Sequence, residues 1–226
     1  MLKYLFVAVA VYGQSAWLVK DNPEFVPNGS TPQGAVQMGN ALYFAGYSSE
    51  LGNAVLYKFD LTTRRVSSVK EFRWMSVYSD RPLLVVNNRL IFTAAALGQN
   101  DALTWASDGT ALGTVVIQAS YSPLHSVQSS VPPVVGGFVY YPCLQSQTPY
   151  DQGLCRSNGT PGGTTAIRPQ FTARYLVEKG GEVFVAGTDT TTGQTSLWKT
   201  DGTAGGTVIV AGAAQGITDI GDLVQH

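Results

Sequence analysis

Hydrophobic residues along this chain fall in short apolar or alternating segments, separated by Gly, Asn and Pro. Segments such as "ALYFAG", "RLIFTA", "FVYYPC" and "EVFVAG" are rich in the aromatic and β-branched residues that favour strands. Each follows a short turn, "MGN", "VNN", "VGG" or "KGG", whose Gly and Asn residues tolerate the positive φ of a tight hairpin. No window of useful length has the three-to-four apolar spacing of a helix. The pattern predicts an all-β protein.

The hairpins belong to a sequence repeat. The segments "VLYKFD", "LTWASD", "LCRSN" and "SLWKTD" align on one acidic or amide residue and recur at spacings of 48, 50 and 43 residues, about the length of a four-stranded propeller blade. We therefore expect one β-propeller domain, residues 17–226, made of four-stranded antiparallel blades, with repeats at 30–76, 77–124, 125–171 and 172–214. Residues 17–22 resemble an isolated fourth strand and residues 219–225 an isolated first strand. This predicts a truncated array, with a four-bladed closure as the alternative.

A Gly-Thr motif follows the aligned residue in the last three repeats; after Asp108 the chain reads "GTALGT". A phosphate-binding loop would need a following helix and a Lys-Ser or Lys-Thr pair, which these segments lack. A calcium loop would need alternating acidic residues, so calcium is only a weak alternative. A turn explains the pattern, because Asp or Asn accepts backbone N–H groups two residues on and Gly supplies positive φ. The predicted turn residues are Asp60, Asp108, Gly109, Thr110, Asn158, Gly159, Thr160, Asp201, Gly202 and Thr203.

Large aromatic residues precede the aligned residue in three repeats. They are Tyr57, Trp105 and Trp198, and Cys155 takes their place in the third repeat. Because they recur with the framework, we expect them to fill the core between neighbouring sheets. The alternative is a surface on which a carbohydrate ring stacks.

Two features predict export. Residues 1–16 combine Lys3, an apolar run and the small residues of "GQSA", as a signal peptide cleaved after Ala16 does, although a buried first strand is the alternative. Cys143 and Cys155 are the only cysteines, and they flank a loop that could join two antiparallel strands. An exported protein permits a disulfide there, the alternative being two free thiols in the core.

The segment "LWKTDGTAGGTVIV" resembles the Glu-Leu-Trp-x-x-Asp-Gly-Thr (hyalin-like) repeat of secreted bacterial proteins, and "WLVKDNP" and "GNALYFAG" resemble later parts of that unit. The likeness is specific in the fourth repeat and good in the second. In the first repeat, "YKFDLTTRRV" lacks the Gly-Thr pairs. The resemblance implies an exported, propeller-like bacterial repeat protein and supplies no catalytic residue.

Charge and motifs together narrow the function. The formal net charge is −1 and only 13% of residues are charged, so no basic field for nucleic acid exists. No catalytic, cofactor-binding or metal-binding residue is predicted, and no membrane span in the mature chain. We expect a non-catalytic, secreted or cell-surface scaffold, part of a larger polypeptide, that binds a protein or glycan through loops such as "LQSQTPYDQG" and "GTDTTTGQT". The alternative is a lectin or a sialidase-like glycan hydrolase.

Overall fold

The computed structural model describes residues 5–7, 17–19, 32–48, 52–77, 83–118, 131–147, 150–217, 219–220 and 223. The described residues are almost entirely strands and turns, with two short 3₁₀ turns at Pro161–Gly163 and Ala213–Gln215. None of them forms a helix long and apolar enough to cross a membrane. The all-β prediction is confirmed.

The strands are numbered in chain order. They are β1 (Leu5–Val7), β2 (Trp17–Val19), β3 (Gln33–Met38), β4 (Ala41–Ser48), β5 (Asn53–Asp60), β6 (Val66–Phe72), β7 (Trp74–Ser76), β8 (Leu84–Val86), β9 (Arg89–Ala95), β10 (Leu103–Ser107), β11 (Val115–Gln118), β12 (Val134–Val135), β13 (Phe138–Gln147), β14 (Tyr150–Ser157), β15 (Thr164–Pro169), β16 (Phe171–Lys179), β17 (Glu182–Asp189), β18 (Thr195–Thr200) and β19 (Val208–Ala211).

Four antiparallel sheets follow one another along the chain. Sheet 1 has the order β3-β4-β5-β6, sheet 3 the order β12-β13-β14-β15 and sheet 4 the order β16-β17-β18-β19. In sheet 2 the order is β11-β10-β9-β7, and β8 also pairs with β9. These are the blade-like units that the repeat predicts, with β7 as an additional strand. Closure of the sheets into a ring stays a prediction.

The two chain ends bear on the predicted partial strands. β1 lies inside the expected signal peptide and pairs antiparallel with β2, which covers the start of residues 17–22. Residues 219, 220 and 223 carry no strand, and the rest of the segment 219–225 lies outside the described residues. Cleavage after Ala16 stays a prediction.

Tight turns join the first and second strands of sheets 2, 3 and 4. Both central residues of each turn have positive φ: Asn87 and Asn88, Gly136 and Gly137, Gly180 and Gly181. This backbone matches the right-handed twist of the strands that it joins. The Gly and Asn residues of the sequence pattern therefore set the hairpin register.

The chain divides into two compact units, residues 1–101 with 105–115 and residues 102–104 with 116–226, and the boundary falls within sheet 2. In the first unit, Phe44, Val55, Tyr57 and Phe59 form a buried cluster in sheet 1. Phe72, at the end of β6, packs edge-on against Trp105 at 5.1 Å between ring centroids. Aromatic residues thus hold sheet 1 against sheet 2.

The second unit has a core cluster of its own. It joins residues of sheet 3 to residues of sheet 4. Its buried members are Tyr140, Leu154, Ile167, Phe171, Ala173, Leu176, Val183, Val185 and Trp198. The rings of Phe171 and Trp198 meet edge-on at 5.4 Å. Burial of these side chains is the main stabilising contribution that the sequence offers here.

A disulfide joins Cys143 to Cys155 across β13 and β14, with 5.7 Å between their Cα atoms, which confirms the predicted pairing. Both cysteines are buried in sheet 3. Cys155 pairs with Tyr141 and Cys143 with Gly153, so the bond runs diagonally across the hairpin. Closing this short loop contributes about 3 kcal/mol in the chain-entropy account.

Candidate functional site

The turn at Asp108 is the candidate site that the sequence singles out. Asp108 Oδ1 accepts hydrogen bonds from the backbone N and the hydroxyl of Thr110 at 2.9 and 2.7 Å. The Thr110 hydroxyl in turn accepts the backbone N–H of Gly113 at 3.0 Å. One carboxylate oxygen and one hydroxyl therefore satisfy three donors of this turn.

The turns at Asn158 and Asp201 repeat this geometry. Asn158 Oδ1 accepts from the backbone N and hydroxyl of Thr160 at 3.0 and 2.7 Å. Asp201 Oδ1 accepts from the same two groups of Thr203, each at 2.8 Å. An amide oxygen takes the place of a carboxylate oxygen with the same partners, so the geometry does not require a charge.

The two glycines of each motif are needed for different reasons. Gly109, Gly159 and Gly202 have φ of 90°, 87° and 90°, a region that residues with a side chain rarely adopt. The second glycine is required by space, because a Cβ on Gly113 or Gly163 would overlap the side chain of Asp108 or Asn158. The sequence interpretation explains both glycines by the bend of the turn. That explanation holds for the first glycine, which has positive φ, whereas the second is required because a side chain would not fit.

A pair of hydroxyls closes each turn, and the sequence interpretation missed it. Hydroxyl oxygens lie 2.7, 2.7 and 2.8 Å apart in the pairs Ser107–Thr114, Ser157–Thr164 and Thr200–Thr207. The Oγ of Ser107 also accepts the backbone N–H of Gly109 at 3.0 Å. In the last three repeats, a Ser or Thr directly before the aligned residue, and a Thr seven positions after that Ser or Thr, are the sequence signal for this pair.

Asp60 occupies the aligned position of the first repeat but makes a different turn. Its Oδ1 accepts the backbone N–H groups of Thr62 and Thr63 at 2.9 and 2.8 Å. Asp189 does the same with Thr191 and Thr192 at 2.9 and 3.1 Å, in the hairpin between β17 and β18. The turn after Asp60 therefore matches the Asp189 hairpin in its hydrogen bonds.

Hydrogen bonding keeps the turn carboxylates ionised. The hydroxyl of Thr110 lowers the pKa of Asp108 below its usual value, and the hydroxyl of Thr203 does the same for the pKa of Asp201. For Asp60 the main cause of its lowered pKa is the backbone N–H of Thr63. A carboxyl group with a lowered pKa is a poor general acid at neutral pH.

The first glycine of the motif also contacts the neighbouring sheet. A Cβ on Gly109 would overlap the hydroxyl of Tyr43 in sheet 1, and a Cβ on Gly202 would meet the Tyr140 hydroxyl and the Arg156 guanidinium of sheet 3. Burial, with the charges of Asp108 and Asp60, raises the pKa of Tyr43. The motif therefore serves packing between sheets as well as the turn.

All three predicted aromatic residues are buried: Trp105 and Trp198 lie where neighbouring sheets pack, and Tyr57 lies in the cluster of sheet 1. Tyr57, Trp105 and Trp198 are each at most 6% exposed, and Cys155 is buried in the same position of sheet 3. A cation covers each tryptophan: Lys70 Nζ lies 5.3 Å from the Trp105 ring, and Arg168 Cζ lies 4.0 Å from the Trp198 ring. A carbohydrate ring could stack on Trp105 or Trp198 only by displacing the cation that the neighbouring sheet places there.

Two short ion pairs lie among the described residues. Arg168 bridges to Asp189 at 2.6 Å, and Lys199 bridges to Glu182 at 2.8 Å. Among the described residues no three His, Cys, Asp or Glu side chains come together as metal ligands. His125 and His226 lie outside the described residues.

No protein-family model matches this chain, and no curated protein is significantly similar to it. The resemblance to the Glu-Leu-Trp-x-x-Asp-Gly-Thr repeat therefore stays a prediction from the sequence motif.

Proposed function

We propose that this chain is a non-catalytic, secreted or cell-surface repeat scaffold of the Glu-Leu-Trp-x-x-Asp-Gly-Thr type, with blades arranged as in a propeller. It binds a protein or glycan partner through its variable hairpin loops. The observation that carries the proposal is that the repeated polar groups are used inside their own turns, while the repeated aromatic residues are buried. Recognition therefore falls to the residues that differ between repeats.

The loops between the second and third strands of the sheets are the favoured binding surface. The hairpins after β13 and β17, which carry "LQSQTPYDQG" and "GTDTTTGQT", occupy this same connection in sheets 3 and 4. In the first unit, Tyr47 at the end of β4 and Leu97 after β9 are each 52% exposed at the corresponding connections. Exposed aromatic and aliphatic side chains at loop tips are typical of interaction surfaces.

Export is supported by the disulfide. A buried cross-strand Cys143–Cys155 bond fits folding in an oxidising compartment. The predicted signal peptide would deliver the chain there.

A glycan array probed with the full chain tests the glycan form of this proposal. Binding should fall at least tenfold in the variants Tyr47→Ser and Leu97→Ser and stay unchanged in Leu112→Ser. Leu112 is a matched control because it is almost fully exposed but lies in the turn between β10 and β11. Binding to no glycan would reject the lectin form.

An activity assay separates the scaffold from the hydrolase alternative. Incubation of the full chain with a fluorogenic sialoside should release no more fluorophore than buffer alone. Turnover that is lost on boiling and retained after repeated chromatography would overturn the non-catalytic assignment.

A further inference from the structure

We propose that the outer strand of sheet 4, β19, is a docking surface for a further blade of the same repeat type. The starting observation is a run of three exposed apolar residues, Val208, Ile209 and Val210, which are 43%, 51% and 45% exposed. Stable proteins rarely leave an apolar edge strand exposed to solvent without covering it or pairing it with another strand.

The corresponding position is buried in the three preceding sheets. A bulge recurs in the outer strand of sheets 1, 3 and 4, where that strand pairs with its neighbour. Its extra residue is Val69 in β6, Ile167 in β15 and Val210 in β19. Ile117 lies at the same distance from its turn, the third residue after Thr114, as Ile167 lies from Thr164. Val69, Ile117 and Ile167 are 7%, 6% and 4% exposed, against 45% for Val210.

Burial at these positions comes with contact to the following sheet. Ile167 belongs to the core cluster that includes Phe171 and Trp198 of sheet 4. The next residue, Arg168, lies over the Trp198 ring, and Lys70, which follows Val69, lies over Trp105.

Gln118, which follows Ile117, completes the series. It donates from Nε2 to Cys155 Sγ at 3.6 Å and accepts from the hydroxyl of Tyr141 at 2.7 Å. In each of sheets 1, 2 and 3, a side chain of the outer strand thus contacts the aligned aromatic residue of the next sheet, or the cysteine that replaces it. These contacts are Lys70 with Trp105, Gln118 with Cys155 and Arg168 with Trp198. The surface at β19 is a fourth copy of the same contact, and this continuity identifies its occupant.

The charge pattern fits an apolar partner. No charged residue lies between Asp201 and Asp219, whereas β6 carries Lys70 and Glu71, and β15 carries Arg168. The docking blade should present an aromatic residue at the position of Trp198, to be buried against Ile209 and Val210. Ala211 stands where the other outer strands have a long polar side chain, so the new contact is more apolar than its three predecessors.

Thiol labelling of the full chain tests the proposal, with the native disulfide kept intact. The variant Val210→Cys should react with a thiol reagent within about threefold of the exposed control Leu112→Cys, while Ile167→Cys stays protected. A second copy of residues 172–217 is then appended after His226. The proposal expects at least tenfold slower labelling of the Val210→Cys variant, no change in the Leu112→Cys variant, and partial loss of protection when the appended tryptophan is replaced by Ala.

Unchanged labelling of the Val210→Cys variant in the extended chain would overturn the proposal, and so would failure of the appended copy to add β-sheet circular dichroism. Protection of the thiol at position 210 in the unextended chain, together with a dimeric mass, would assign the surface to a second copy of this chain instead.

A thermal measurement gives a second test that needs no added blade. Ile167→Asp should lower the melting temperature by at least about 10 °C, and Val210→Asp by no more than about 2 °C. Equal losses would mean that β19 already has a partner within the chain. Neither result bears on the binding role proposed for the hairpin loops, which the glycan array tests separately.

Discussion

The turns at Asp108 and Asn158 have the same hydrogen bonds and different charges. In both, one side-chain oxygen accepts the backbone N–H and the hydroxyl of the threonine two residues on, at distances that agree within about 0.1 Å. In both, a second glycine leaves room for that side chain. The comparison teaches that the repeat selects an acceptor of this size and position, and that an ionised group is incidental to the fold.

Sheet 3 contains a disulfide, and sheet 2 contains no cysteine. The double substitution Cys143→Ala and Cys155→Ala should lower the free energy of unfolding by about 3 kcal/mol, because the short loop then opens in the unfolded chain. Urea unfolding measures the loss. Hydrogen exchange should rise in β13 and β14 more than in β9. An equal rise in both sheets would mean that the bond does not stabilise sheet 3 selectively.

The second glycine should be nearly as sensitive, and the chain contains a matched control beside it. Gly163→Ala should cost about 2 kcal/mol, since its Cβ would overlap Asn158, and Gly162→Ala should cost less than about 0.5 kcal/mol. No atom lies within 4 Å of a Cβ on Gly162, and its φ is not positive. The pair Gly206→Ala and Gly205→Ala repeats the test beside Asp201. Similar costs within either pair would refute the steric role of the second glycine.

The buried hydroxyls should contribute less. Ser157→Ala removes the acceptor of the Gly159 N–H and the partner of Thr164, which are bonds of 3.0 and 2.7 Å. We expect a loss of about 1 kcal/mol, and the same for Ser107→Ala, because one buried donor in each turn loses its partner. The control is Thr165→Ala, whose hydroxyl is exposed. If the urea midpoints of Ser157→Ala and Ser107→Ala equal that of Thr165→Ala, water takes over the hydrogen bonds of the removed serine hydroxyl.

The strands and hairpin turns could be predicted from the sequence because their signals are local. Apolar segments, paired Gly or Asn residues and a fixed repeat specify where strands begin and end. Spacing allowed the disulfide, since its two cysteines flank one hairpin, and left two free thiols as the alternative; the structure shows the bond. Among the turn residues, Asp60 shows the limit: alignment places it with Asp108, but "LTTR" in place of a Gly-Thr motif produces the hydrogen bonds of the Asp189 hairpin.

Contacts between sheets could not be predicted, because they join residues that are distant in the sequence. The hydroxyl of Tyr43 against Gly109 and the guanidinium of Arg168 over Trp198 depend on how one sheet packs on the next. The repeat predicts that such contacts exist and not which side chains make them. The exposure of Val210 in β19 became informative only by comparison with Val69, Ile117 and Ile167, which are buried at the corresponding position of the other outer strands.

Exchanging Asp and Asn at positions 108 and 158 should have the smallest effect on stability at neutral pH. It tests most directly whether the turn needs a hydrogen-bond acceptor or a negative charge. A carboxyl group whose folded pKa is lowered stabilises the fold above its unfolded pKa of about 4 and loses that contribution as the pH falls through the folded pKa. Asp108 is such a group and Asn158 is not. Asp108→Asn should therefore flatten the acid limb of a stability–pH profile, and Asn158→Asp should steepen it.

At pH 7 each exchange should change the free energy of unfolding by less than about 0.5 kcal/mol, because water screens an exposed carboxylate. Urea titrations at pH 7, 5 and 3 measure the pH dependence of the free energy of unfolding for both variants. The control is the unsubstituted chain. Asp201 is present in all three proteins, so its own titration cancels in the comparison. Parallel profiles for all three proteins would mean that the hydrogen bonds from Thr110 favour the neutral carboxyl group as strongly as the ionised one. A large loss for Asp108→Asn at pH 7 would restore a role for the charge itself, and the equivalence of the two turns would then be wrong.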